Sequence, residues 1–485
     1  MWPGLKAFDR RFEFYNGALY PTVIEGPFVD QITPNSAIIS WDTDLPVNGT
    51  VKVGGVGDFP APVANATHFE VPLTGLAAGA TYTYSVEITD GAKTTATRQY
   101  YFSTPAQGTN KFDFVAMGDG RANAGGSESD YNGVNYGVVK QLFTNAFNRN
   151  AAFVVFTGDY EWGFSDVVLD FQQQLRAWKA AVEQVRHYVP LYAVMGNHEL
   201  SINSYLTNDP GSQNLPALWF DNATPNSGEE IFGGEFVNPT NGPTPDPPAG
   251  GSCTKPPYRE NVYYWDYGNS RFVVLNTAYW YSSYAEKYGG YLNAYIGDDQ
   301  AAWLINAFNQ TAADPSIEHL FLIGHTPPFP SGGHEYGGMW LGGGSPAVNR
   351  GVDRTYVVER RDQIWRAFVS SGKAVAYIAA DEHNYSRTAV TKDRNNDYFP
   401  SPAWQLVSGG AGAPLTATRS NTVPWKDDVE KFSTQLHSVM LRVDGKQVTA
   451  EVYNVDNQLI ESAVLKTAQG VIPITMPFYF PLIVR

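Results

Sequence analysis

Five apolar runs of the sequence each end in residues that could bind a metal ion. The residues at these ends are Asp119, Asp159, Asn197, His325, Asp381 and His383. The carboxyl ends of parallel strands meet at one edge of an α/β sheet, which is where such folds bind ligands. A glycine precedes the polar residue in four of the five cases, and glycine allows a sharp turn beside a ligand. The five ends therefore predict one shared site.

The last of these ends carries the most ligating side chains. Asp381 and His383 are separated by one residue, so an extended segment would direct both from one face and Glu382 from the other. Glu382 is therefore not expected to be a ligand. For Asp381, the alternative is the cap of a helix or turn.

The donor set contains oxygen and imidazole nitrogen but no sulfur. Such a set favours two divalent or trivalent first-row ions, such as Fe, Mn or Zn. Two ions about 3.5–4 Å apart share an anionic bridge, and Asp159 is suited to that place. The single cysteine, Cys253, excludes an internal disulfide and a thiolate cluster.

Composition limits the partners of the chain. Its 485 residues are 43% hydrophobic and 14% aromatic, enough for a large core in two or more domains. A formal net charge of −15 disfavours nucleic acid and anionic membranes, because both are negatively charged. No segment reaches the roughly 20 unbroken apolar residues of a membrane helix. Met1 to Gly17 lacks the apolar core of a signal peptide.

The pattern of the sequence changes near residue 105. Residues 1–18 form an extension in which no element is predicted, and residues 19–105 contain short alternating runs separated by Gly and Pro, typical of an all-β sandwich. Leu76 and Tyr82 resemble the corner of a fibronectin type III domain, where a leucine fills the core and a tyrosine hydroxyl bonds to the backbone.

Residues 106–467 alternate strands with helices, which predicts an α/β domain. Apolar residues recur at helical spacing in four segments, Val134–Asn148, Phe171–His187, Gln300–Phe308 and Arg360–Val369. Near the end of the domain, two strand patterns flank an Asp444-Gly445 turn. This hairpin is predicted to close a sheet edge.

Two long insertions interrupt the α/β domain directly after candidate ligands. Leu200–Arg259 and Pro327–Arg354 are rich in loop-forming residues, and loops of this length are usually functional. We expect both to lie above the site. Two groups of aromatic residues could stack on a substrate or serve in packing: Tyr205, Trp219 and Phe220 of the first insertion, and Tyr279, Trp280, Tyr281 and Tyr284 beyond it. Residues 468–485 form an apolar tail broken by proline, which either docks on its own chain or joins a partner in an oligomer.

The motifs that follow the strands resemble one known family. Gly-Asp-x-Arg, Gly-Asp-Tyr, Gly-Asn-His-Glu, Gly-His-Thr and Asp-Glu-His-Asn-Tyr-x-Arg occur in that order and are similar to those of calcineurin-like metallophosphoesterases. Purple acid phosphatases are the most similar branch, over roughly residues 20–465. That branch places a fibronectin-like sandwich before a four-layer α-β-β-α catalytic domain. The resemblance also implies a secreted or cell-surface protein.

The resemblance implies a ligand set for each of two metals. Asp119, Asp159 and His383 would bind the first ion. The second would be bound by Asn197, His325 and Asp381, with Asp159 bridging. The family ends with Gly-His-x-His, whereas this chain has Ala-Asp-Glu-His, so Asp381 replaces an imidazole and favours harder ions.

A second departure concerns colour. Purple members carry a metal-binding tyrosine three residues after the bridging aspartate, and this chain has Trp162 there. Tyr160 and Glu161 stand at the wrong offset. The sequence therefore predicts a protein without tyrosinate-to-iron absorption.

The resemblance also implies a mechanism, in which a metal-bound hydroxide attacks a phosphate mono- or diester. His198 would bond a phosphate oxygen or protonate the leaving group. His334 is a second candidate for that work, with an ordinary surface residue as the alternative. Arg121 is a candidate phosphate fork. The predicted function is a phosphoric ester hydrolase acting on a small substrate. The alternative is a non-enzymatic surface or self-assembling protein on the same fold.

Overall fold

A computed structural model describes most of the chain. The residues it describes are 13–15, 18–122, 130–163, 165, 167–200, 205–207, 218–220, 227–245, 256–279, 294–335, 338–340, 354–416 and 418–472. Cys253 and the C-terminal tail beyond residue 472 lie outside these ranges. Among the described helices, none has the length and apolar composition of a membrane span.

The N-terminal strands form a small hairpin, which was not predicted, and a seven-stranded β-sandwich, as expected. They are β1 (Glu13–Tyr15), β2 (Ala18–Tyr20), β3 (Val23–Asp30), β4 (Ser36–Val53), β5 (Gly57–Pro60), β6 (Ala66–Thr74), β7 (Thr81–Thr89), β8 (Thr94–Ala96) and β9 (Tyr100–Ser103). Strand β4 serves both faces of the sandwich, because it pairs first with β3 and β6 and then with β5 and β7. The predicted corner is confirmed: Leu76 is buried, and the Tyr82 hydroxyl accepts a 2.7 Å hydrogen bond from the Ala77 N–H.

The described residues beyond the sandwich form two large sheets, short two-stranded pairs and five helices. The strands are β10 (Lys111–Met117), β11 (Asp130–Tyr131), β12 (Val134–Asn135), β13 (Val154–Phe156), β14 (Leu191–Ala193), β15 (Tyr205–Thr207), β16 (Leu218–Phe220), β17 (Tyr263–Tyr267), β18 (Ser270–Val274), β19 (His319–Ile323), β20 (Ala374–Ala379), β21 (Tyr385–Lys392), β22 (Tyr398–Ser408), β23 (Val429–Ser433), β24 (His437–Asp444), β25 (Gln447–Asn454), β26 (Leu459–Thr467) and β27 (Gly470–Val471). The helices are α1 (Tyr136–Asn148), α2 (Val168–Arg186), α3 (Gly228–Glu235), α4 (Asp298–Ala313) and α5 (Thr355–Ser370).

The two large sheets lie face to face between two layers of helices, the predicted α-β-β-α arrangement. One sheet has the order β14-β13-β10-β24-β25-β26-β27 and the other β17-β18-β19-β20-β22-β21-β23. Phe114 of the first sheet meets Phe272 and Phe321 of the second at ring distances of 5.0 and 5.4 Å. Helices α1 and α2 cover the outer face of the first sheet, and α4 and α5 that of the second. Strands β10, β13 and β14 are parallel, as are β18, β19, β20 and β22.

Two predictions about these elements were wrong. The hairpin of β24 and β25 does not close a sheet edge, since β24 pairs with β10 and β25 with β26. Strand β24 is buried along most of its length, which suits a central position better than an edge. The insertion Leu200–Arg259 is not all loop, because it contains α3. The signal for this helix was a capping box, in which Ser227 and Glu230 bond each other's backbone N–H groups.

The sandwich is joined to the catalytic layers through buried polar contacts with α2. Arg186 forms a buried ion pair with Asp30 of β3. Just beyond the helix, the His187 carbonyl accepts a 2.7 Å hydrogen bond from the Tyr84 hydroxyl, and His187 Nδ1 donates to the Pro27 carbonyl at 2.7 Å. The boundary we propose at residue 105 falls between β9 and β10.

Candidate metal centre

The loops after five strands bring the six predicted ligands together. Asp119 follows β10, Asp159 follows β13, Asn197 follows β14 and His325 follows β19. His325 Nε2 lies 3.0 Å from Asn197 Oδ1, 3.2 Å from Asp159 Oδ1 and 3.7 Å from an oxygen of Asp381. These spacings match neighbouring ligands of one ion, which stand about 3 Å apart when each is about 2.1 Å from the metal.

A second group of donors lies beside the first. His383 Nε2 is 4.0 Å from Asp119 Oδ1. The donor atoms of Asp119, Asp159 and His325 all lie within 4.8 Å of one another. Asp159 lies between the two groups. Its Oδ1 faces His325 of the first group, and its Oδ2 lies 3.7 Å from the Nε of Arg121, whose Nη2 is next to His383 of the second group.

The backbone turns occur at the carboxylates more than at the glycines. Asp119, Asp159 and Asp381 have φ values of +60°, +56° and +66°, a region that few residues other than glycine adopt. Of the glycines before the ligands, Gly158 alone has a positive φ, +98°, so the expected role of glycine in turning the chain was right only there. Its second role is close approach, because a Cβ on Gly158 would lie 2.6 Å from His325 Nδ1.

Residues 381–384 were predicted to be extended, and they are not. They form consecutive tight bends, in which the Glu382 N–H donates to the Ala380 carbonyl and the Asn384 N–H to the Glu382 carbonyl, each at 2.7 Å. Asp381 and His383 still both reach the centre. Glu382 faces away, as predicted, and its buried carboxylate accepts the Ser331 N–H at 2.8 Å and the Gly332 N–H at 2.9 Å.

In their neutral forms, both imidazoles present a lone pair to the centre. His325 Nδ1 donates to the Thr157 carbonyl and His383 Nδ1 to the Pro414 carbonyl, each at 2.7 Å. A carbonyl can only accept, so these bonds fix the protons on Nδ1 and direct Nε2 inward. Backbone bonds of this kind orient histidine ligands in metal sites.

The electrostatics of the site fit a bound cation. Both oxygens of Asp119 are buried and have no hydrogen-bond partner among the described residues. Burial raises the pKa of Asp119 well above its usual range, and Asp159 and Asp381 add to the rise. Burial alone would lower the pKa of His325, but the facing carboxylates raise it well above its ordinary value. Positive charge among these side chains would relieve the repulsion between carboxylates.

The three candidate catalytic residues surround this centre. His198 is buried, its Nδ1 donates to the Trp162 carbonyl at 2.5 Å, and its Nε2 lies 3.6 Å from Asp159 Oδ2. Burial lowers the pKa of His198 to about 4. The His334 side chain is 44% exposed, and its Nδ1 lies 3.9 Å from Asp381 Oδ1. Arg121 is 12% exposed and lies between Asp159 and the ring of Trp162, whose centroid is 5.2 Å from the guanidinium carbon.

Comparison with known proteins adds the family. The family model for calcineurin-like phosphoesterases matches residues 132–385, more than half of the chain. The chain belongs to this family. It is a metal-dependent phosphoesterase, and the resemblance predicted from its motifs is confirmed. No curated protein matches the chain.

Two of the solved structures similar to this chain are those of PhoD and of a dimetal phosphatase. A structure of PhoD has a TM-score of 0.56 at 13% identity, covering 92% of this chain and 91% of its own. A dimetal phosphatase from Danio rerio has a TM-score of 0.40 at 12% identity, covering 73% of this chain and 98% of its own. At such low identity, the PhoD likeness speaks for the fold alone, and it extends over both the sandwich and the phosphoesterase layers.

No role was predicted for two buried glutamates near the centre, Glu199 and Glu161. Glu199 accepts hydrogen bonds from the N–H groups of Asp159, Tyr160 and Gly196 at 3.0, 2.9 and 2.6 Å. It therefore joins the loop that carries Asp159 to the loop that carries Asn197. Burial raises its pKa to about 8, and Asp159 adds to the rise. The motif Gly-Asn-His-Glu contained Glu199, but its backbone partners could not be read from sequence.

Glu161, the second, is fully buried, and neither carboxyl oxygen has a hydrogen-bond partner among the described residues. Burial raises its pKa well above the usual range.

Aromatic side chains beside the phosphoesterase centre fall into distinct places. The Tyr160 hydroxyl bonds the backbone, donating to the Phe156 carbonyl at 3.2 Å and accepting from Val194 N–H at 3.0 Å, so it faces the core. Tyr279 is also a packing residue, since its hydroxyl donates to the Pro256 carbonyl at 2.6 Å. Of the other aromatic candidates for stacking, Tyr205, Trp219 and Phe220 have only their backbone described. Trp280, Tyr281 and Tyr284 lie outside the described residues.

The two insertions meet the rest of the molecule differently. In the first, α3 packs against the core around Tyr160, where Phe232 and Phe236 lie 5.9 and 4.9 Å from its ring. This part is therefore core and not a cover over the site. The second insertion reaches the centre at His334, and Glu382 holds its start through Ser331 and Gly332.

Proposed function

We propose that this phosphoesterase hydrolyses phosphate mono- or diesters of a small substrate at a centre of two metal ions. One observation supports this more than any other: a single histidine nitrogen, His325 Nε2, faces oxygens of Asn197, Asp159 and Asp381 within 3.0–3.7 Å. These oxygens favour positive charge at the nitrogen, which a proton on Nε2 supplies in the absence of metal and a metal ion supplies to the neutral ring. The site lies at the ends of the strands, where α/β folds bind their ligands.

The ligands divide into two groups in this proposal. Asp119 and His383 belong to a first position, Asn197, His325 and Asp381 to a second, and Asp159 bridges them. The donors are oxygen and imidazole, which suits Fe, Mn or Zn. When bound, such ions activate water and neutralise charge on the phosphoryl oxygens. The chain's own residues set the geometry, because His325 and His383 are fixed by backbone carbonyls and Asp159 by the loop that Glu199 holds.

The residues around the centre act on the substrate in this proposal. Arg121 offers a planar pair of N–H donors to the phosphate oxygens. His198 is neutral near pH 7, since burial lowers its pKa to about 4, so it positions groups beside Asp159 more readily than it supplies a proton. His334 is better placed as the proton donor to the leaving group, because it is 44% exposed at the mouth of the centre. A location outside the cell, as in the branch that the sequence resembles, is part of the same proposal.

The first test is metal-dependent hydrolysis of a panel of chromogenic phosphate mono- and diesters. We expect turnover by the metal-loaded wild type and its loss on chelation or in Asp159→Ala. The matched control is Asp444→Ala, which removes a carboxylate that is 65% exposed on the β24–β25 turn. Absence of turnover in well-folded, metal-loaded wild type would refute the proposal, and ordered polymers of that protein would favour an assembly role.

The second test separates the two histidines. If His334 protonates the leaving group, His334→Ala should slow alkyl esters far more than 4-nitrophenyl esters, whose leaving group needs no proton. His198→Ala should lower turnover on both while metal content stays near that of the wild type. His68→Ala, an exposed histidine of the sandwich, is the control. Equal losses on both ester types in His334→Ala would remove it as the acid.

A further inference from the structure

Arg121 lies inside the donor set of the first metal position. Its Nη2 is 3.4 Å from His383 Nε2, and its Nε is 3.7 Å from Asp159 Oδ2. The guanidinium therefore points at the same two atoms that the proposed function gives to the first ion. Nε of Arg121 is buried and makes no hydrogen bond within the described part of the chain. The group interacts with these donors through charge and through one N–H directed at an imidazole.

The lone pair of His383 cannot serve two cations at once. Because His383 Nδ1 donates to the Pro414 carbonyl at 2.7 Å, Nε2 holds the single lone pair of the neutral ring. That lone pair accepts from the guanidinium, or it binds a metal ion. The positive charge of the guanidinium also repels an ion that approaches His383 and Asp159 Oδ2.

The second position differs in this respect. Asp159 Oδ1, Asn197 Oδ1 and an oxygen of Asp381 all face His325 Nε2 within 3.7 Å. Arg121 meets Asp159 through the other oxygen, Oδ2. The two oxygens of the bridging carboxylate thus face different cations: Oδ1 faces the second metal position, and Oδ2 faces the guanidinium. The second ion can bind with Arg121 in place.

The guanidinium of Arg121 already contacts Trp162 while it lies in the donor set, and this contact can hold it when it turns away from the donors. Its guanidinium carbon is 5.2 Å from the centroid of the Trp162 ring, within the range of a cation–π contact. Its backbone is fixed by an antiparallel bridge to Val134, so only the side chain has to turn. When it lies on the ring of Trp162, the guanidinium stays close to the metal centre, where the phosphate of a substrate would bind.

We propose that the guanidinium of Arg121 is a tethered cation that competes with metal for the first position, so that the two positions fill unequally. The second position binds its ion first and tightly. The first position binds an ion only when the guanidinium turns away from His383 and Asp159, and its N–H groups are then free to bind the phosphate. This inference rests on the two-metal assignment of the proposed function. It adds the order of filling and the residue that sets it.

The test follows metal binding without any activity measurement. Chelator-treated protein is titrated with Mn²⁺ by calorimetry, and EPR spectra are recorded at each step. For the wild type we expect one tight ion per chain with the spectrum of an isolated Mn²⁺. A second ion should bind at least tenfold more weakly and bring the spectrum of a spin-coupled pair. In Arg121→Ala and in Arg121→Gln, which keeps most of the side-chain volume, the two affinities should converge to within a few fold.

Two further variants define the competition. Arg121→Lys keeps the charge and should preserve most of the affinity gap. Arg366→Ala, which removes an arginine 45% exposed on α5, should leave the gap unchanged. His383→Ala should remove the weak ion and keep the tight one.

The competition would be refuted by two ions of equal affinity in the wild type, which the EPR titration of that protein decides alone. It would also be refuted by an unchanged gap in both neutral variants. Failure of the wild type to bind any metal is a different result, because it overturns the two-metal assignment itself.

Discussion

Replacement of Glu199 tests whether a buried carboxylate holds the metal-binding loops together. In Glu199→Ala, the N–H groups of Asp159, Tyr160 and Gly196 lose their acceptor. A buried donor left unpaired costs about 1–3 kcal/mol, so three of them should cost roughly 3 kcal/mol or more. This is a large part of the 5–15 kcal/mol that is typical of a folded domain.

Glu199→Gln should have a smaller effect for a geometric reason. Oε2 of Glu199 accepts from Asp159 and Gly196, while Oε1 accepts from Tyr160 alone. A glutamine whose oxygen takes the place of Oε2 keeps the hydrogen bonds from Asp159 and Gly196. Its NH₂ group then faces the Tyr160 N–H, which is left without an acceptor. The cost should then be about 1–3 kcal/mol, that of a single unpaired donor.

The assay is urea unfolding of the chelator-treated protein, followed by tryptophan fluorescence and circular dichroism. Calorimetry on the same variants should show metal affinity weakened about 10- to 100-fold, as for other residues that support ligands. Glu87→Gln, in an exposed pair with Lys52, should change stability by less than about 1 kcal/mol. A Glu199→Ala protein as stable as the wild type, with unchanged metal affinity, would refute the role of the carboxylate.

Three further predictions concern other parts of the molecule. Burial lowers the pKa of His319 and His437 to about 4, below the unfolded value of about 6.5. The unfolded state therefore binds more protons in acid, and the free energy of unfolding should fall as pH drops from about 6.5 to 4. His319→Gln should make this fall shallower. Asp30→Asn leaves Arg186 buried without its partner and should cost about 3 kcal/mol or more in urea unfolding, and an unchanged midpoint would contradict it. Iron-loaded protein should lack a tyrosinate absorption band in its visible spectrum, because the Tyr160 hydroxyl bonds the backbone; a purple colour would show that another tyrosine ligates the iron.

The ligand positions could be predicted because their signals are local. Each candidate ligand follows an apolar run, and parallel strands bring the ends of such runs to one edge. Asp119, Asp159 and His325 needed no knowledge of distant contacts to be placed at strand ends. Helices α1, α2, α4 and α5 were predicted for the same reason, since their apolar spacing lies within a single segment.

The contacts that hold the site were not predictable, because they join residues far apart in sequence. Strand β24 pairs with β10 across more than 300 residues, and no local pattern shows that this hairpin is central. The bends at Asp381 depend on its left-handed backbone, a conformation that aspartate adopts only where the surroundings enforce it. The partners of Glu199 and Glu382 are backbone N–H groups of other loops, and these have no signature in sequence.

In the proposed two-metal centre, the charges connect Asp381, a departure from the family pattern, with Arg121. Asp119, Asp159 and Asp381 supply three negative charges. With a neutral histidine at position 381, as in the family pattern, the centre would have two. One divalent ion and the guanidinium of Arg121 together supply three positive charges, so the centre is neutral with a single ion bound. A second divalent ion makes the centre positive by two charges, which is the charge needed to neutralise a phosphate monoester dianion. A carboxylate at position 381 and an arginine at position 121 thus compensate each other in the resting centre, and the excess positive charge develops with the second ion, when Arg121 is free to bind phosphate.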